Sequence, residues 1–85
     1  MRFKWDEKKN GKLKRERGMG FEKVVSVFDK SFHLSQKKDS PEQWRAIGWV
    51  GERLVSLIYE EREDEEGLFL WLVTFWPSTK TEREL

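Results

Sequence analysis

The sequence predicts one α+β domain over residues 1–85, ordered β-α-α-β-β-β-α, with an antiparallel sheet carrying its helices on one face. Three observations lead there. Helical periodicity shows in Phe21, Val24, Val25 and Phe28, which fall at i, i+3, i+4 and i+7 and so share one helix face. Three strand-like runs, residues 44–50, 54–59 and 68–76, follow with short connections, and short connections favour an antiparallel meander. Finally, 85 residues leave room for a single core, so the helices must cover one face of that sheet.

The elements follow in order. Phe3 and Trp5 alternate with Arg2 and Lys4, the pattern of a short strand. Asp6 can cap a helix with Glu7 in its first turn. The stretch to Arg17 is helix-forming apart from Gly11, and Leu13 is its one clear apolar anchor. Gly18 and Gly20 break the chain before the second helix. Residues 29–43 are polar, end at Ser40-Pro41, and read as a linker loop. Gly51, Glu52 and Arg53 turn the chain between the first two runs, and the acidic segment 60–67 turns it again, closed by Gly67. The third run is apolar on both faces, as in a central strand or one whose second face meets a partner. Pro77 stops it, and Thr79 with Glu82 can form a capping box for a last helix too short to stand without packing.

Composition narrows the classes of function. The five Trp, six Phe and one Tyr supply a core to a chain this short. With no cysteine, disulfides, thiolate zinc sites and a Cys nucleophile are excluded, which suits a reducing cytoplasm. No apolar run reaches membrane-spanning length and the opening MRFKWDEKK has no signal-peptide stretch, so the expectation is a cytoplasmic protein without membrane contact. The net charge of +1 conceals a division: residues 1–17 hold eight Lys/Arg against three Asp/Glu, and residues 60–66 hold six acids against one Arg. A basic end suits an anionic partner, because Lys and Arg near phosphates release counterions, although a solvated helix face has the same composition. There is no Gly-rich phosphate loop, metal-ligand cluster or nucleophile elbow, so no metal and no cofactor are expected. The single His33 falls in the polar loop and reads as solvated.

The order of residues nevertheless resembles a family. Phe3, Trp5, Asp6, Glu7, Lys9 and Asn10 resemble the opening of the BrnT family of bacterial toxins. So do Gly18, Phe21 and Glu22, then Val27, Phe28 and Asp29. Asp39, Glu42, Arg45, Ile47 and Gly48 resemble the family's acidic loop and Arg-x-x-Ile-Gly strand, residues 54–59 its next strand, and Thr81, Glu82 and Arg83 its closing Glu-Arg segment. The resemblance runs along the whole chain. It implies a RelE/ParE-like toxin fold, metal-free cleavage of RNA, and a cognate BrnA-like antitoxin with a ribbon-helix-helix part, through which DNA would be met indirectly.

The departures fall where chemistry is expected. Glu16 and Arg17 stand where the family has Lys-His, and Trp71, Leu72 or Val73, Thr74 and Trp76 stand along its Arg-x-Ile-Ser-x-Arg strand. Metal-free RNA cleavage needs an acid and a base, each worth about 10²–10⁴ in rate, and cations aimed at the phosphorane. Arg17 supplies charge but stays protonated. In a rearranged catalytic site Arg17, Glu60, Lys80 and Arg83 would take the catalytic roles, while Lys12, Lys14, Arg15 and Arg45 hold RNA. Trp71 and Trp76 can stack on bases, anchor a partner interface, or simply fill the core. The alternative is a toxin-like module that binds antitoxin, operator complex or RNA and has lost its chemistry.

Overall fold

The computed structural model describes residues 1–85, and the chain's first turn of helix forms as its capping chemistry requires. Strand β1 (Arg2–Trp5) leads into helix α1 (Glu7–Arg17), where the Asp6 carboxylate accepts the Lys9 amide at 3.0 Å. Gly18 ends α1 at φ 77°, its amide donating to the Lys14 carbonyl. This left-handed conformation is one that glycine adopts without a Cβ clash. Helix α2 (Phe21–Val24) then tightens into a 3₁₀ turn, Val25–Asp29. The corner between α1 and α2 is tied by buried Asn10, whose Oδ1 accepts the Phe21 amide at 2.8 Å and whose Nδ2 donates to Glu22 at 2.9 Å. The Lys14 ammonium, then Asn10, hold the Glu22 carboxyl down at about 2.

Strands β2 (His33–Asp39), β3 (Glu42–Val50), β4 (Arg53–Asp64) and β5 (Gly67–Pro77) complete the sheet, and helix α3 (Lys80–Arg83) follows. The spatial order is β1-β5-β4-β3-β2. The β3-β4-β5 meander is antiparallel, as the short connections predict. No helix is long and apolar enough to cross a membrane.

Four features of the α+β architecture differ from the sequence expectation. The sheet is mixed, because β1 joins it parallel to β5 with Phe3 opposite Leu70. The expected loop at 29–43 contains β2, an edge strand paired only to β3, with a turn at Ser40 and cis-Pro41. β2 has exposed side chains on both faces and is held by its backbone ladder, so it carries no apolar alternation. The acidic segment continues β4 to Asp64, leaving a tight turn at 65–66, because its charges find partners across the sheet: Asp64 binds Arg2 at 2.7 Å and Lys4 at 2.7 Å. Lastly, the helices do not all share one face.

Strand alternation sorts the side chains. Ala46, Val50, Val55, Leu57 and Phe75 meet Phe21, Val24, Val27 and Leu13 in the main core under α1 and α2. Gly48 lets the 3₁₀ turn approach: a Cβ there would lie 3.2 Å from Val27 and 3.1 Å from Phe32. The alternate positions Arg45, Ile47, Ser56 and Trp76 face the other way. There α3 packs, and Ile47 and Ile58 are buried. Glu82 of α3 completes the capping box with Thr79 and also accepts Trp76 Nε1 at 2.8 Å and Arg45 at 3.3 Å. The hydroxyls of Ser56 and Ser78 bond at 2.8 Å beside it. Burial alone would raise the Glu82 pKa, but the hydrogen bonds from Thr79, Trp76 and Ser56 outweigh it and the net shift is downward.

Candidate nucleic-acid-binding face

Where α3 ends, this second face of the sheet stays open, and its side chains are charged. Glu60 sits on β4 opposite Trp71 of β5. Gln43 of β3 donates to Glu60 Oε2 at 2.7 Å, and Arg62 donates to Oε1 through Nε at 3.0 Å and a terminal nitrogen at 2.8 Å. The Arg62 guanidinium lies 4.6 Å from the centroid of the Trp71 ring. The result is a line of joined side chains, Gln43–Glu60–Arg62–Trp71, across three strands. Trp71 is half-buried, with ring surface still open to solvent.

Cations flank the line. Lys4 of β1 lies opposite Trp71, with its ammonium 4.5 Å from the Phe69 ring centroid. Lys38 of β2 lies opposite Gln43, and Arg45 donates through Nε to Ser35 at 3.1 Å. Arg2, Lys4, Lys38, Arg45 and Arg62 thus stand against the carboxylates of Glu60, Asp64 and Glu82, leaving the face cationic.

A basic groove continues it. Beyond Leu72, β5 has no partner on the β1 side, and α1 lies along that free edge. The groove encloses about 610 Å³ and is lined by Lys8, Lys9, Lys12, Arg15 and Arg17, with Asp6, Glu16, Leu13 and Thr74. Thr74 lies opposite Ile58 and so belongs to the open face, which makes groove and face one continuous surface. Arg17 Nε donates to the Phe75 carbonyl at 3.0 Å, closing one hydrogen bond of the free edge.

The residues singled out from sequence therefore divide. Glu60, Arg45 and Trp71 come together on the open face, and Lys12, Arg15 and Arg17 line the adjoining groove. Lys14 points away from it into an ion pair with Glu22 at 2.7 Å. Lys80 and Arg83 are exposed on α3, and neither forms an ion pair or hydrogen bond with Glu60. Trp76 is half-buried and engages its indole N–H with Glu82, so it holds α3 to the sheet. His33 is on β2, exposed, opposite Ile47. Sequence reasoning missed Gln43, Arg62, Lys4 and Lys38. The available signal was the alternation of Glu60 with Arg62, which puts both on one face once the segment is read as strand.

Chemically, this face suits binding. The hydrogen bond from Gln43 and the pair with Arg62 hold Glu60 below the usual carboxylate range against the opposing effect of burial, and both its oxygens are engaged. Such a carboxylate is a weak base. No cluster of three or more His, Cys, Asp or Glu is placed to hold a metal ion. Comparison with known proteins adds no family: no family model matches the chain, and no curated protein matches it.

Proposed function

We propose that the chain is a toxin-like protein of a bacterial type II toxin–antitoxin system, of RelE/ParE-like fold, that binds single-stranded RNA on the open sheet face. The resemblance to BrnT toxins along the chain supports the first part. The observation that carries the second is Trp71 lying against Arg62 on a cationic face that runs into the α1 groove. An aromatic ring on a basic track accepts a base by stacking while flanking Lys and Arg take the phosphates. Cleavage is the weaker expectation, because Glu60, Arg45 and Arg17 are each engaged in the fold. In this reading a BrnA-like antitoxin is the cognate partner, and DNA is reached only through it.

The test is equilibrium binding of a fluorescent single-stranded RNA at two salt concentrations, alongside a duplex DNA of equal length. Affinity for RNA should fall as salt rises. Trp71→Ala should weaken it by about tenfold, the loss of one stacked base, with the RNA left intact. Salt-independent binding, or a Trp71→Ala variant that binds as wild type, would overturn the proposal. Shortened RNA together with arrested growth of an expressing host would instead establish a ribonuclease toxin.

A further inference from the structure

The helix-bearing face has an opening of its own beside the core. Beyond the 3₁₀ turn, an apolar groove of about 390 Å³ remains uncovered. Phe3, Leu70 and Glu61 lie side by side across β1, β5 and β4, because Phe3 pairs with Leu70 and Leu70 with Glu61. Phe28 forms the inner wall, its ring 5.7 Å from Phe3, 5.3 Å from Tyr59 and 5.2 Å from Phe32. Leu68 forms the outer lip and is 58% exposed.

The polar groups in this groove are acidic. Glu61 lines it, and Glu63, opposite Leu68, shares the same face of β4. All of the ion pairs in the molecule use other carboxylates, those of Asp64, Glu66, Glu22, Glu82 and Glu60. Glu61 and Glu63 are exposed and unpaired. The Tyr59 hydroxyl makes no hydrogen bond although it is not sealed from solvent. Burial, then the nearby Glu61, push its pKa up, so it remains a donor.

We infer that this groove docks a cationic amphipathic segment of a partner protein. Its apolar side chains would sit between Phe28, Leu68 and Leu70, and a Lys or Arg would lie between Glu61 and Glu63. Charge complementarity selects this occupant. Carboxylates at the lip repel nucleic acid and anionic lipid, and a second copy of this groove would set like charges against like. An apolar segment studded with Lys or Arg satisfies both the exposed rings and the unpaired carboxylates. The inference is independent of the RNA-binding proposal, because Trp71 and Arg62 lie on the other face of the sheet.

The probe is a short amidated peptide of leucine and lysine patterned as an amphipathic helix, titrated into isotopically labelled full chain, with a leucine–glutamate peptide of equal length as comparison. The leucine–lysine peptide should bind saturably and shift the resonances of Phe3, Phe28, Tyr59, Leu68 and Leu70. Glu61→Lys with Glu63→Lys should weaken it by about tenfold or more and transfer the preference to the leucine–glutamate peptide. Leu68→Asp should weaken both by about tenfold. The two variants change exposed side chains independently, so either alone carries the comparison, and neither should alter RNA affinity by loss of a contact. Shifts confined to other surfaces, equal binding of the two peptides, unchanged affinity in the variants, or a concentration-dependent dimer formed through this groove would overturn the inference.

Discussion

Replacing Glu82 by Ala should be among the most damaging single changes to this fold, because one carboxylate does three jobs there. Glu82 accepts the Thr79 amide at 2.9 Å, Trp76 Nε1 at 2.8 Å and an Arg45 nitrogen at 3.3 Å, with its side chain only 7% exposed. Loss of the cap costs about 1 kcal/mol. Leaving the Trp76 N–H and the half-buried Arg45 guanidinium without their acceptor costs about 1 kcal/mol each. The sum, about 3 kcal/mol, is a large share of the ~5–15 kcal/mol that holds a small domain folded. At about 4–8 °C per kcal/mol in a domain of this size, Tm should fall by about 15 °C. Calorimetry measures it, and Glu82→Gln sharpens the cause. The folded pKa of Glu82 lies below its ordinary 4.5. Its ionised form therefore contributes stability above the unfolded value, and that contribution is lost as pH falls through the folded one. Wild type should lose stability over that acid range, and Glu82→Gln should lose less. A Glu82→Ala variant melting within about 3 °C of wild type would refute the reasoning, as would identical acid limbs for wild type and Glu82→Gln.

Other perturbations follow from the same geometry. Asn10→Ala should cost about 2 kcal/mol in denaturant unfolding, because the buried Phe21 amide loses its acceptor. Asn10→Asp should be worse at neutral pH and recover as pH falls, since the new carboxylate faces Glu22 where Asn10 now donates at 2.9 Å. Gly18→Ala should lower stability by about 1 kcal/mol through the left-handed backbone it must adopt at φ 77°. Asp64→Asn should speed hydrogen exchange of the β1 amides. Hydrogen bonds from Arg2 and Lys4 hold the Asp64 pKa far below the usual range, so the difference should be present at neutral pH, fade as pH falls through the depressed value, and shrink in high salt.

The sequence made the helical part legible because its signals are local. The Asp6 cap, the Gly18 break, the Phe21–Phe28 periodicity and the Thr79–Glu82 box each lie within one or two turns, and each formed where expected. What escaped was set by distant partners. Strand β2 has no apolar alternation because it is an edge exposed on both faces, and its strand state rests on backbone pairing with β3. Residues 60–64 look like a solvated charge run until Arg2 and Lys4 are known to stand beside Asp64, some sixty positions away in sequence. The site divided in the same way. Glu60, Arg45 and Trp71 were found by residue type, while Gln43 and Arg62, which orient them, depend on the register of β3, β4 and β5. Glu82 was found as a helix cap, and its hold on Trp76 and Arg45 needed the placement of α3 on the second face.

The pairing of β1 with β5 has a consequence for the order in which the molecule can assemble. Synthesis delivers Arg2–Trp5 first, yet their ladder partners, residues 69–72, are among the last to be made. The meander can zip through neighbours close in sequence, but the first strand must wait, because closing so long a loop is entropically slow. During that interval the basic segment 1–17 is untethered at its front while the helix behind it can already form. A nascent chain carrying eight cations in that stretch is then free to hold nearby polyanions before the sheet captures it. The Asp64 carboxylate, arriving late, acts as the counter-charge that draws Arg2 and Lys4 off such a competitor and onto the finished edge.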